Sequence, residues 1–143
     1  MVALAQNVEA QITVDVHIYN LDFGTAGHTH LNPTIEVGDT IHWIWDNIDH
    51  STTAAAGQAE SWDSGVKNTI GATFDHTFTH IGTFNYYCTM HGLDDGNGQV
   101  SGMSGFITVV PEPQAWGAAT GLLLLGLASY RYQRARRGQR VRN

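Results

Sequence analysis

Gly82-Thr83-Phe84-Asn85-Tyr86-Tyr87-Cys88-Thr89-Met90-His91-Gly92 is the stretch on which the fold turns. Phe84, Tyr86 and Cys88 occupy alternate positions after Gly82, which is the period of a strand with one buried face. Cys88 closes that series and His91 follows three residues later, so a tight turn there aims a thiol and an imidazole at one point. Cys88 is the only cysteine of the 143 residues. An internal disulfide and a secreted disulfide scaffold are therefore excluded, and the lone thiol needs another role.

The same alternation extends outward in both directions. Between residues 11 and 20, Ile12, Val14, Val16 and Ile18 interleave with Thr13, Asp15, His17 and Tyr19. Pro33 precedes a short run at 34–37, Gly38-Asp39 makes a turn, and residues 40–45 put Ile41, Trp43 and Trp45 on one face. Residues 72–80 alternate through Phe74, His76 and Phe78, and 105–110 form a last strand. Residues 54–68 are the least regular and suit a short helix or an edge-strand excursion. About seven to eight short strands, with no convincing helix before the C-terminal tail, predict an all-β antiparallel Greek-key β-sandwich of roughly 100 residues. That length suffices for one domain and excludes a multi-domain enzyme.

The formal charge of −6 conceals two unlike segments. All 13 acids lie at or before Glu112 against a single lysine, Lys67, whereas six arginines and no acid follow Gln114. A body near −12 repels phosphate backbones, so nucleic acid is not an expected partner, and basic protein surfaces are.

His50 sits some forty residues before Cys88, just after a strand. Loops of a sandwich gather at its two ends, so His50 can meet the Cys88–His91 pair at one end. Two imidazoles and one thiolate suit a trigonal copper site with a weak axial sulfur, for which Met103 is a candidate. Taken singly, a strand-end cysteine is ordinarily a small hydrophobe and a histidine a packing or surface residue; it is the combination that points to a metal.

Five stretches then resemble the plastocyanin/azurin-type cupredoxins, the blue type 1 copper proteins. They are Leu31-Asn32-Pro33-Thr34-Ile35-Glu36-Val37-Gly38-Asp39-Thr40-Ile41, Asn47-Ile48-Asp49-His50-Ser51, Trp62-Asp63-Ser64-Gly65, the stretch from Gly82 to His91, and Gly102-Met103-Ser104-Gly105-Phe106-Ile107-Thr108-Val109. The resemblance implies a cupredoxin-like domain over residues 11–110, one type 1 copper ion, and the ligands His50, Cys88, His91 and Met103. The His91–Met103 spacing departs from the plastocyanin pattern by a longer loop, whose Asp94-Asp95-Gly96-Asn97-Gly98 reads as a turn. Met90 and Gln99 accordingly rival Met103 as axial donor, and an absent axial bond is a further alternative. Asn47 and Ser51 are candidate donors bracing the ligands.

The remaining histidines read differently. His76, between two phenylalanines, is expected to be a hydrogen-bonded core histidine; His17 and His42 fall on polar strand faces; His28-Thr29-His30 reads as a surface loop.

At the C-terminus, residues 115–130 are uncharged and include Leu122-Leu123-Leu124-Leu125, and Arg131, Arg134, Arg136, Arg137, Arg140 and Arg142 follow. This reads as a hydrophobic helix and short membrane span with a cytoplasmic basic stop, which sets the acidic body outside the cytoplasm. Pro111-Glu112-Pro113, the apolar run and the arginines together resemble the PEP-CTERM sorting tail of exosortase-processed proteins, so residues 111–143 are expected to be a processed tail. Residues 1–10 are expected to be a residual export segment or a disordered start, because Ala3-Leu4-Ala5 resembles the end of a signal-peptide cleavage site, with the signal encoded upstream.

No general base, nucleophile or open substrate position stands out, so an enzyme is not expected. The implied role is an exported carrier of single electrons between partners, one of them a basic protein such as a cytochrome. It would reside in the periplasm, cell envelope or extracellular matrix. The alternative is a cupredoxin-like envelope or matrix-binding protein whose redox activity is secondary.

Overall fold

The computed structural model describes residues 10–112, and these contain eight strands and no helix. They are β1 (Thr13–Tyr19), β2 (Asp22–Gly24), β3 (Thr34–Glu36), β4 (Thr40–Trp45), β5 (Thr53–Ala54), β6 (Thr73–Thr77), β7 (Gly82–Asp94) and β8 (Val100–Val110). They form two four-stranded sheets, ordered β2-β1-β4-β6 and β3-β8-β7-β5. The hydrophobic helix, the sorting tail and the export segment expected from the sequence lie outside the described residues. Among the described residues, no helix is long and apolar enough to cross a membrane.

The sandwich is mixed, which corrects the purely antiparallel expectation. β1 runs parallel to β4, and β3 parallel to β8. The cause is the path of the chain: after β2 it crosses to the second sheet as β3, then returns to lay β4 beside β1 in the same direction. Parallel neighbours require such long crossovers, whereas alternation within one strand says nothing of its partner's direction. Residues 54–68 take the edge-strand alternative: β5 pairs with β7, and isolated bridges join Thr53 to Asp63 and His50 to Lys67.

Alternation places the core as expected. Val16 and Ile18 of β1, Ile41, Trp43 and Trp45 of β4, Phe84, Tyr86 and Cys88 of β7, and Met103, Ile107 and Val109 of β8 all point between the sheets. The Tyr86 ring packs 4.6 Å from Phe23 and 5.8 Å from Trp43, centre to centre, and Trp62 stacks on Trp43 at 5.6 Å. Gly105, opposite Tyr86 in the ladder, makes room for that ring, since a Cβ there would lie 3.0 Å from it. Burial pushes the Tyr86 phenol up, so it stays neutral.

A polar staple closes the far side of this core. Glu60, 5% exposed, accepts hydrogen bonds from the amides of Thr79 and His80 at 2.7 and 2.8 Å. The imidazoles of His76 and His80 each approach it at 3.0 Å. Burial alone would raise its carboxyl, but the Thr79 amide, both imidazoles and the His80 amide outweigh that and hold it down at about 2. His76 is thus the hydrogen-bonded histidine expected, stacked on Trp62 at 5.0 Å.

Because the folded pKa of Glu60 lies below its ordinary 4.5, its contribution is complete above pH 4.5 and is lost as pH falls toward 2. Glu60→Ala removes the buried carboxylate that both amides and both imidazoles meet and is expected to cost roughly 1–3 kcal/mol at neutral pH. Urea unfolding followed over this range should show a smaller acid-induced loss of stability in the variant than in the parent.

Candidate metal centre

Two strand ends and a break in register assemble the site. β7 and β8 pair regularly from Gly82↔Val109 to Tyr87↔Ser104, then resume at Gly92↔Gly102. Four residues, Cys88 to His91, therefore stand opposite one, Met103. The surplus chain bulges from the ladder and turns its side chains out of strict alternation. Gly102 permits the resumption: its φ is +74°, and a Cβ would lie 2.6 Å from the His91 carbonyl oxygen.

The chain then continues as a hairpin. Its turn, closed by the Asp95 amide on the Gln99 carbonyl at 3.1 Å, is the one expected at Asp94-Asp95-Gly96-Asn97-Gly98. The strands on either side of it, through Asp94 and from Val100, were not legible, because glycine-rich, acidic sequence carries no strand period.

At this bulge Cys88 meets both histidines. Its Sγ lies 3.5 Å from His91 Nδ1 and 3.7 Å from His50 Nδ1, and the two nitrogens are 3.1 Å apart. Cys88 is fully buried, His50 is 3% exposed and His91 is exposed, so the triad opens to solvent on the His91 side. Burial first, and the neighbouring His91 second, hold the His50 imidazole below its ordinary value, with Asp49 opposing. His50 is therefore biased to the neutral form that binds a metal.

The protein contains eight histidines, and the other six each contact a carboxylate. His17 and His28 approach Asp46, His30 approaches Asp22, His42 approaches Asp75, and His76 and His80 approach Glu60. His17 and His42 are thereby accounted for as polar-face residues and His28 and His30 as loop residues. Only His50 and His91 pair instead with each other and the thiol.

The donor triangle fits one ion. Bonds of about 2.0 Å to each nitrogen and about 2.3 Å to sulfur reproduce the three separations with angles of roughly 100–120° at the ion. Two imidazoles and one thiolate suit a trigonal copper site. Met103 is 3% exposed and faces the bulge from β8. Of its rivals, Met90 is 58% exposed, and Gln99 lies at the hairpin turn along a separate surface cleft.

Ser51 ties the two ligand segments together. Its amide donates to Cys88 Sγ at 3.4 Å, and its Oγ accepts from the Thr89 amide at 2.9 Å. Its hydroxyl also lies 3.0 Å from Thr89 Oγ1. Asn47, the other expected brace, engages only through its backbone amide, on the Ile18 carbonyl at 3.2 Å. Trp45 does what was expected of Asn47: its indole N–H donates to the His50 carbonyl at 2.8 Å. Its alternation marked Trp45 as core and gave no sign of this bond.

No family model matches the chain. Among solved structures, an oxidised variant of amicyanin aligns over 76% of this chain and 90% of its own, at 24% identity and a TM-score of 0.50. A reduced amicyanin variant aligns over 68% and 82%, at 23% identity and 0.50. A copper-containing nitrite reductase from Thermus scotoductus aligns over 78% of this chain but 25% of its own, at 21% identity and 0.53. The described residues thus have the cupredoxin fold.

Ser51→Ala removes the acceptor of the Thr89 amide from a fully buried position and is expected to cost about 1 kcal/mol. Metal affinity should fall with it, as the two ligand segments lose their bridge. Thermal unfolding with and without added metal reports both effects.

Proposed function

We propose that this chain is an exported type 1 copper protein that carries single electrons between redox partners. The observation that carries the reading is the convergence of His50, Cys88 and His91 on one point, with separations that suit a single ion. His50, Cys88 and His91 would hold copper, and Met103 would supply the weak axial sulfur. Copper bound there would supply a one-electron couple through a coloured thiolate bond. The chain's part is to hold its donors in place, so that loss or gain of an electron demands little rearrangement. Burial of Cys88 and His50 excludes water from two sides, and exposed His91 is the route by which an electron would leave.

Partner recognition follows from charge and surface. Exposed Ile48 and Met90 belong to the two ligand segments, and the domain around them is strongly acidic. A basic redox protein such as a cytochrome would be steered to this end, with a rate that falls as salt rises. Residues 11–110 would be the working domain. The PEP-CTERM-like tail at 111–143 would direct export, a transient or lasting membrane attachment, and processing by an exosortase-type enzyme, leaving the protein at the cell envelope, in the periplasm or in the matrix.

Copper reconstitution should give one ion per chain, intense visible absorption and a reversible one-electron wave. Cys88→Ser should abolish the colour, whereas Met103→Leu should keep it and shift the potential. A colourless copper-loaded parent would refute the type 1 assignment, and an unshifted potential in Met103→Leu would remove Met103 from the ligand set.

A further inference from the structure

Away from the metal centre, the outer face of the second sheet carries a cleft of about 240 Å³. Asn85 and Phe106, directly opposed on β7 and β8, form part of its lining, and Ser104 stands two residues from Phe106. Gln99, from the hairpin turn, and His30 and Asn32, from the β2–β3 connection, are also among its walls. None of these six residues bears a carboxylate, lysine or arginine.

The polar groups are held in place and only partly used. His30 Nδ1 donates to Asp22 at 2.6 Å, leaving its Nε2 to accept from the Asn32 amide at 2.9 Å. Asn32 Oδ1 accepts the Phe106 amide at 2.9 Å, and Asn85 Nδ2 donates to the Gly98 carbonyl at 2.8 Å. These bonds fix both amide planes. Among the described residues, Asn85 Oδ1, one N–H of Asn32 and the whole Gln99 side-chain amide have no partner. Ser104 gives its proton to the Gly102 carbonyl at 3.2 Å and keeps its acceptor side. Beside these groups, Phe106 is 41% exposed, a phenyl ring that the core does not require.

Each class of ligand can be tested against this lining. An anion would find no lysine or arginine in the lining within a strongly acidic domain, and a metal cation would find no carboxylate there, Asp22 lying behind His30 and outside the lining. An apolar molecule would strand the amides away from water. A neutral polyhydroxylated ring meets every requirement. Neighbouring hydroxyls both donate and accept, as the free amide groups do, and the ring's C–H face suits the negative face of a phenyl. The volume, equal to about eight waters, holds one sugar ring with its hydroxyls.

We propose that this cleft binds a neutral saccharide unit, with its C–H face on Phe106 and its hydroxyls on Asn32, Asn85 and Gln99. The cleft lies on the outer face of the sheet, whereas Cys88 and Met103 are buried on its inner side.

The test is saturation-transfer NMR on the full chain in its reduced state. The probes are glucose, galactose, mannose, N-acetylglucosamine and their β-1,4-linked disaccharides, with adenosine as a stacking control. At least one saccharide is expected to bind with a millimolar Kd, and Phe106→Ala and Gln99→Ala are each expected to weaken it at least about tenfold. Phe106→Tyr, which keeps the ring, should retain it. Fluorescence of the core tryptophans checks that each variant is folded; should Phe106→Ala unfold, the exposed Gln99→Ala carries the test. Silence from every saccharide, binding unchanged in the folded variants, or binding of adenosine alone would each overturn the proposal.

Discussion

The break in register between β7 and β8 is the constraint on which the rest of this molecule depends. Up to Tyr87 the two strands run as an ordinary antiparallel ladder, in which Cys88 would be one more inward-facing core residue. Setting four residues opposite Met103 lets Cys88 stay buried while His91, three positions on, swings back toward its sulfur. Without the surplus chain, strand alternation would send Cys88 and His91 to opposite faces of the sheet. Gly92 and Gly102 permit the close backbone approach at which pairing resumes.

The third donor arrives from the other sheet, and its placement is a matter of hydrogen bonds made by the backbone. The segment after β4 is held from both sides, by Trp45 on the His50 carbonyl and by Ser51 on Cys88 and Thr89. Lys67 adds a backbone bridge to His50, its amide donating to the same carbonyl at 2.9 Å. These bonds lie in or beside the core, so moving His50 relative to Cys88 would break several buried interactions at once. Such a scaffold favours a function in which the donors stay still.

Charge separates structural imidazoles from the candidate ligands. In a domain with eleven acids and one lysine, a carboxylate is the default neighbour of any histidine, and six of eight have one in contact. A carboxylate accepts a ring N–H and so ties up one of the two nitrogens that could otherwise face a metal. His50 and His91 lack that contact, and burial biases His50 toward the neutral form. Glu60 shows the structural use of the same chemistry: two imidazoles and two amides hold a buried anion that fastens residue 60 to the β6–β7 turn.

By itself the sequence determined the sandwich, its inward rows and three of the strand positions nearly to the residue, because period-two alternation is a local property of the chain. It also singled out Cys88, His91 and His50, since a lone cysteine at a strand end with a histidine three residues on is a local pattern as well. Strand direction was not local: the parallel β1–β4 and β3–β8 pairs follow from crossovers between sheets. Nor were Trp45 and Glu60 legible as brace and staple, because a hydrogen bond across 5 or 19 residues depends on where the backbone has been carried. Only the tertiary structure gave each of the other six histidines its carboxylate partner. Those pairings rest on which side chains the folded sheets bring side by side, and no stretch of sequence contains them.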